Sequence, residues 1–186
     1  ARLFCDMIRK MPEEDIFIEV TDNLQVTLSS GVTTFNMSAV SSADYPELPV
    51  SKDCEEIKIS QPVLKSMINQ TIFAVAVTDM KPILKGELFD IENGVLNLVS
   101  IDGYRLAVRT ESIKYDGDIK FVVPAKTLSE VSKLLSDNDE DNCSMFVSSK
   151  HIIFEINGYF VYSRLLEGEF HPYKSAIPQT FTTEVI

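Results

Sequence analysis

The 186-residue sequence is poor in the residues that catalysis and cofactor binding usually need. It holds three cysteines, Cys5, Cys54 and Cys143, an odd number set far apart and with no Cys-x-x-Cys. That excludes a zinc-ribbon pattern and suits reduced thiols in a cytosol. It holds two histidines, His151 and His171. A nucleophile–base pair needs histidine near serine or cysteine, and neither position brings a third, orienting group with it. The seven glycines are scattered at turns, so there is no glycine-rich phosphate loop. No apolar run approaches the ~18 residues of a membrane span. A basic-then-apolar leader is also missing, which points to a cytoplasmic protein. The chain starts at Ala1 without an initiator methionine, so it reads as a fragment. For a cytosolic protein the sequons at Asn36, Asn69 and Asn142 are chance matches.

Basic residues are scarce as well. Lys and Arg number 17 against 28 Asp and Glu, a net charge of −11, which at first argues against nucleic acid. The distribution says more. The predicted helices 1–11, 61–75 and 124–136 hold six basic residues (Arg2, Arg9, Lys10, Lys65, Lys126, Lys133) against Asp6 and Glu130; the remainder holds 11 basic and 26 acidic. Arg2 and Arg9, and Lys126 and Lys133, are spaced i, i+7, about 10 Å apart along one helix face. Such a face can follow a phosphate backbone without reading bases. It also fits an ordinary solvated helix surface, with Glu130 between its two lysines, and charge alone does not decide between the two.

Periodicity predicts an α+β chain. Leu3, Phe4, Met7, Ile8 and Met11 form one apolar helix face, ended by Pro12. Strands follow at about 16–20, 24–30 and 33–40, then an extended stretch over 42–50 held open by Pro46 and Pro49. A second unit begins near Cys54: a strand at 56–60, the helix 61–75, strands at 83–91, 95–101, 104–112 and 118–123, the helix 124–136, strands at 144–149, 151–157 and 159–165, and a last extended piece over 180–186. The helix-plus-three-strands pattern of 1–40 recurs 124 positions later, matching Arg2 to Lys126 and Arg9 to Lys133. A repeat near 125 residues implies a chain that opens half-way through one unit (1–51), contains a whole one (52–178) and stops as a third begins (179–186).

The stretch Gly94–Arg109 stands out. Asp102-Gly103 between apolar runs predicts a tight hairpin, because glycine adopts positive φ at little cost. It would set the apolar Ile101 and Leu106 beside a bare glycine, where another backbone could approach. On pattern alone an ordinary core hairpin is the preferred reading. The acidic loop 137–142 lacks the glycine and glutamate of a calcium-binding loop, so a solvated loop is expected and no metal. Nothing in the sequence supports catalysis or a bound cofactor.

Four stretches resemble one family in one order. Leu98–Ala107 (LVSIDGYRLA) is similar to the central-domain motif of the bacterial sliding clamps, the DNA polymerase III beta subunits. Ser42–Pro49 (SADYPELP), Val123–Lys126 (VPAK) and Leu165–Pro178 (LLEGEFHPYKSAIP) resemble the same family. The resemblance implies a DNA-clamp fold, with helices on one face of antiparallel sheets and three similar domains per chain in a head-to-tail homodimer ring. It implies a non-enzymatic processivity factor around duplex DNA, serving the polymerase III alpha subunit, the clamp loader and other partners through a short peptide. By position, the peptide pocket falls on Leu84, Ile101, Gly103, Tyr104, Arg105, Leu106, His171 and Ala176, with Phe170 and Ile177 anchoring its rim. The DNA-facing residues fall on Arg2, Arg9, Lys10, Lys65, Lys126 and Lys133. Ile101 stands where the family often has a small polar residue, and His171 where proline is common, which bears on peptide preference. The third domain's wall of the pocket is not in this chain, so weak peptide binding is expected. The alternative is an acidic α+β peptide-binding module with no DNA role. A hydrolase using paired carboxylates fits poorly, since no such pair clusters outside the loops.

Overall fold

The computed structural model describes residues 2–12, 15–45, 54–78, 81–178 and 180. The chain divides into two compact units, 1–48 and 49–186.

In the first unit, α1 (Arg2–Arg9) is followed by β1 (Phe17–Val20), β2 (Gln25–Ser30) and β3 (Thr33–Ser38), which pair antiparallel in chain order. The core is small. Met11, Val26 and Leu28 are buried, and Phe4, Met7, Ile8 and Phe35 pack only partly against them. No residue of α1 is buried, and all four residues of β1 are exposed. The expected extended stretch is in part a 3-10 turn, Ser42–Asp44, whose start is capped by the Ser41 hydroxyl accepting from the Ala43 amide. Residues 46–50 lie outside the described residues, as do 181–186 of the last expected strand.

The second unit is two interlocked halves. One half is β4 (Glu55–Ser60), α2 (Gln61–Thr71) and the meander β5 (Gly86–Glu92), β6 (Val95–Ile101), β7 (Leu106–Ser112). The other is β8 (Ile119–Pro124), α3 (Ala125–Leu134) and the meander β9 (Asn142–Val147), β10 (His151–Ile156), β11 (Tyr159–Arg164). In each half a strand runs without a break into a helix. That strand then joins the sheet of the other half: β4 pairs with β9 and β8 with β5, giving the orders β11-β10-β9-β4 and β7-β6-β5-β8. The two halves therefore clasp, and neither sheet is complete without both. The repeat expected near 125 residues is one of whole units; this repeat inside the unit was not foreseen.

Alternation explains the layers. Phe89 and Ile91 on β5, Leu96 and Leu98 on β6, and Phe121 and Val123 on β8 face one side. There they meet Leu64, Met67 and Ile68 of α2 and Leu128 and Val131 of α3 in the main core. Phe89 and Phe121, opposite each other in the ladder, stack at 5.0 Å. The buried Gln61 ties the start of α2 to the end of α3: its Nε2 donates to the Asn142 carbonyl and its Oε1 accepts from the Ser136 amide, both near 3.0 Å. The Ser132 hydroxyl donates to Asn69 Oδ1 and joins the helices side by side.

Three boundaries differ from expectation, each for a local reason. Helix α2 stops at Thr71, not 75. The Thr71 backbone leaves the helical region at φ −121°, its hydroxyl turns back to the Met67 carbonyl, and a 3-10 turn follows at Ile72–Ala74. Strand β5 begins at Gly86, because Pro82 opens another 3-10 turn over Pro82–Lys85. The hairpin at Asp102-Gly103 is a four-residue loop rather than a two-residue turn. Asp102 Oδ1 accepts from the amides of both Tyr104 and Arg105, which delays β7 to Leu106. A single helical turn, α4 (Tyr173–Ala176), was not foreseen.

Candidate functional site

The alternate side chains of the sheet β7-β6-β5-β8 build a second, smaller cluster on the face away from the helices. Leu88, Val99, Ile101 and Val122 come from the strands; Ile83 and Leu84 come from the turn before β5; Tyr173 and the partly buried Leu106, Leu166 and Phe170 complete it. This apolar patch is not fully covered. It floors a groove of about 780 Å³ lined by Ala76, Thr78, Lys81, Ile83, Leu84, Ile101, Asp102, Gly103, Tyr104, Glu169, Phe170, His171 and Pro172. An apolar floor with a few polar groups at the rim is what anchor-residue recognition needs.

Of the eight predicted groove residues, Leu84, Ile101, Gly103, Tyr104 and His171 line it. Leu106 sits opposite Ile101 in the ladder and packs into the floor from its edge. Arg105 turns aside: its guanidinium lies over the Phe73 ring at 5.7 Å and its Nε donates to Asp102 Oδ2 at 2.8 Å. Ala176 is exposed on α4 and is not among the lining residues. Phe170 lines the groove and packs against the cluster, whereas Ile177 is 41% exposed and is not among the lining residues. Ala107, not Leu106 or Val108, is the buried residue at the start of β7, since it faces the helices. Gly103 has φ +93°, and a Cβ there would meet nothing within 4 Å. Glycine is needed for that backbone conformation, and the space beside it is open.

Tyr104 is fully exposed at the lip. The loop beneath it is held by Asp102, whose carboxyl the Tyr104 amide, followed by the side chain and amide of Arg105, keeps below the usual carboxylate range. Ile83, Asp102 and the side of the groove given by Ala76, Thr78 and Lys81 were not foreseen from the sequence. The Ala76 amide donates to the Leu84 carbonyl, a contact across the 3-10 turns that no local pattern announces.

The predicted DNA-facing cations all lie on helices or at their ends. Arg2, Lys10 and Lys126 are exposed. Arg9 pairs with Asp6 at 3.5 Å and Lys133 with Glu130 at 2.8 Å, each at i, i+3. Lys65 donates to Asp137 at 2.8 Å. Three of the six are thus held by carboxylates. The Cys143 thiol is buried and pushed up to about 12 by that burial, with Glu155 adding to it. Among the described residues no group of three His, Cys, Asp or Glu side chains could hold a metal.

The family model for the DNA polymerase III beta subunit, central domain, matches residues 58–172, and that for the N-terminal domain of the same subunit matches residues 1–49. The chain belongs to the DNA polymerase III beta subunit family. Two curated relatives, both named beta sliding clamp, are those of Halalkalibacterium halodurans and Bacillus subtilis. The first is 35% identical over 98% of this chain and 49% of its own length, the second 33% over 100% and 50%. The chain therefore spans about half the length of the curated relatives it matches. Among solved structures, the DNA polymerase sliding clamp from Bacillus subtilis superposes with a TM-score of 0.86 at 32% identity, over 96% of this chain and 47% of that one. A putative DNA polymerase III beta subunit from Eubacterium rectale gives 0.85 at 34%, over 97% and 50%. The α+β clamp fold is thereby shown for the beta subunit chain described here. No helix among its described residues is long and apolar enough to cross a membrane.

Proposed function

We propose that the chain is part of a sliding clamp: a non-catalytic, cytoplasmic processivity factor that encircles duplex DNA as a homodimer ring. It tethers the replicative polymerase, the clamp loader and other partners by short peptides docked in the groove. In this reading, residues 1–51 are the C-terminal half of the first clamp domain, 52–178 the whole central domain and 179–186 the start of the third. The observation that carries it is the groove itself. Its apolar floor of Ile83, Leu84, Ile101 and Leu106 lies open on the sheet face opposite the helices, in the domain that matches the family's central domain. The test is fluorescence polarisation with a labelled Gln-Leu-Ser-Leu-Phe peptide on the full-length protein. Leu106→Asp puts a charge into the floor and should weaken binding about tenfold or more. Equal binding by both proteins removes the groove assignment.

The second reading, an acidic peptide-binding module without a DNA role, draws on the carboxylates that already hold Arg9, Lys65 and Lys133. Salt-dependent DNA affinity of the closed ring, lost on Lys126→Glu plus Lys133→Glu, supports the clamp; a closed ring with no such affinity supports the module.

A further inference from the structure

One wall of the groove is a strap, and the strap has an anchor outside the groove. After β11 the chain returns over the outer face of sheet β7-β6-β5-β8, where the Leu166 amide donates to the Val122 carbonyl at 2.9 Å. Phe170, His171 and Pro172 then form the wall. The same three residues line a second cavity of about 410 Å³, which also touches Asp90, Lys120 and Tyr173. The wall borders two cavities and is packed into the apolar cluster only through Phe170, so the position of His171 and Pro172 depends on where its end is tied.

The tie is made at Tyr173. This residue is 6% exposed, and its hydroxyl donates to Asp90 Oδ2 at 2.8 Å. Asp90, on β5, is 1% exposed. Lys120 Nζ stands 3.1 Å from its Oδ1, and Lys174 Nζ 3.7 Å from its Oδ2. Lys174 also donates to Glu92 at 3.1 Å, so two successive strap residues are fastened to one strand. Burial opposes ionisation of Asp90, but the Tyr173 hydroxyl and Lys120 outweigh it and hold the carboxyl below its usual range. A carboxylate this buried is costly unless it is paired, and an apolar side chain would cover the sheet with less cost. What the carboxylate adds is direction: it accepts the hydroxyl at one place only.

We propose that the Tyr173–Asp90 hydrogen bond is a latch that sets the width of the peptide groove by fixing the Phe170–Pro172 wall. Both are positioning residues; neither lines the groove. The proposal rests on the peptide-groove reading and names the device that controls it. The latch also explains why the wall stays on the sheet although His171 and Pro172 are themselves exposed.

The test uses the full-length protein with Tyr173→Phe and Asp90→Asn, read by polarisation with the same labelled peptide and by amide hydrogen exchange. Tyr173→Phe keeps the ring and removes the hydroxyl. It should weaken peptide binding about fivefold, mainly through faster dissociation. Exchange should rise at the amide of Ser175, which donates to the Pro172 carbonyl, and at that of Leu166, which donates to the Val122 carbonyl, while β5 and β6 stay protected. Asp90→Asn still offers an oxygen to the hydroxyl and should keep most of the affinity; the loss on Tyr173→Phe, which leaves the ring's packing in place, is what a mere packing role would not show. Tyr173→Phe with wild-type affinity and wild-type exchange overturns the latch. So does exchange that rises evenly through the sheet, which would mark a general loss of stability. A wild-type protein that does not bind the peptide counts against the groove reading instead, and the exchange arm then decides the latch by itself.

Discussion

Two stretches of this chain have the same order of elements and opposite burial. One is α1 with β1, β2 and β3; the other is α3 with β9, β10 and β11. They correspond at a spacing of 124 residues even in their ion pairs, Arg9–Asp6 and Lys133–Glu130. Yet Leu128 of α3 is wholly buried, and its counterpart Phe4 of α1 is only half-buried. Strand β9 hides every second residue, and β1 hides none. The difference is company. β9 has β4 on its free edge, and α3 has α2 at its side. β1 ends its sheet. A helix and a three-stranded meander carry an apolar face that they cannot cover alone, and a second half is what closes it.

The comparison is broken most directly in the cores. Leu128→Ala should lower the stability of the second unit by about 3 to 4 kcal/mol. Phe4→Ala in the first unit should cost only about 1 kcal/mol, because its side chain has less burial to lose. Urea denaturation followed unit by unit reads both, and equal losses would mean that the exposed face of α1 is covered in solution.

The next effect belongs to the closed unit only. Glu87 is fully buried, with the Thr71 and Ser100 hydroxyls both donating to its Oε1, and burial pushes its carboxyl up to about 7. The folded protein therefore keeps this proton to higher pH than the unfolded chain. Below pH 4.5 both states hold it; from there to about pH 7 the unfolded state alone releases it, so stability falls as pH rises; above that the full loss persists. Glu87→Gln should remove this slope and recover about 2 to 3 kcal/mol at pH 8. Melting curves across pH 4 to 8 check it, and a slope that survives the substitution assigns the effect elsewhere.

A smaller contrast lies in the strand edges. Amides of β1 that point away from β2 should exchange about tenfold faster or more than those of β9, which has a strand on each side. Mass-spectrometric exchange on short peptides resolves the two. The smallest effect should be the same in both places. Arg9→Ala and Lys133→Ala each break an exposed i, i+3 pair and should change stability by less than about 0.5 kcal/mol. A larger loss from Lys133→Ala alone would show that its pair belongs to a wider network.

Much of this was legible in the chain. Helical spacing of Leu64, Met67 and Ile68, and of Leu128 and Val131, marked the buried faces, because a 3.6-residue period is set by the backbone and survives any tertiary arrangement. Alternation in β9 and β10 was readable for the same reason. Ile101 and Leu106 could be placed side by side from the Asp102-Gly103 signal, although the loop has four residues and not two. What misled was side-chain chemistry acting back on the backbone. The Asp102 carboxylate holds two amides out of the ladder, and the Thr71 hydroxyl helps end a helix whose apolar spacing runs on to Val75.

The sequence by itself determined where most of the helices and strands form, which faces are apolar, which helices carry the cations and to which family the motifs point. All of these depend on residues a few positions apart. Only the tertiary structure decided that β4 and β8 cross into each other's sheets, that Ile83, Val99 and Phe170 join one cluster, that carboxylates claim three of the six helix cations, and that Tyr173 reaches Asp90. Those contacts join residues tens of positions apart, and no local spacing encodes which of many apolar or polar partners a side chain will find once the chain has closed.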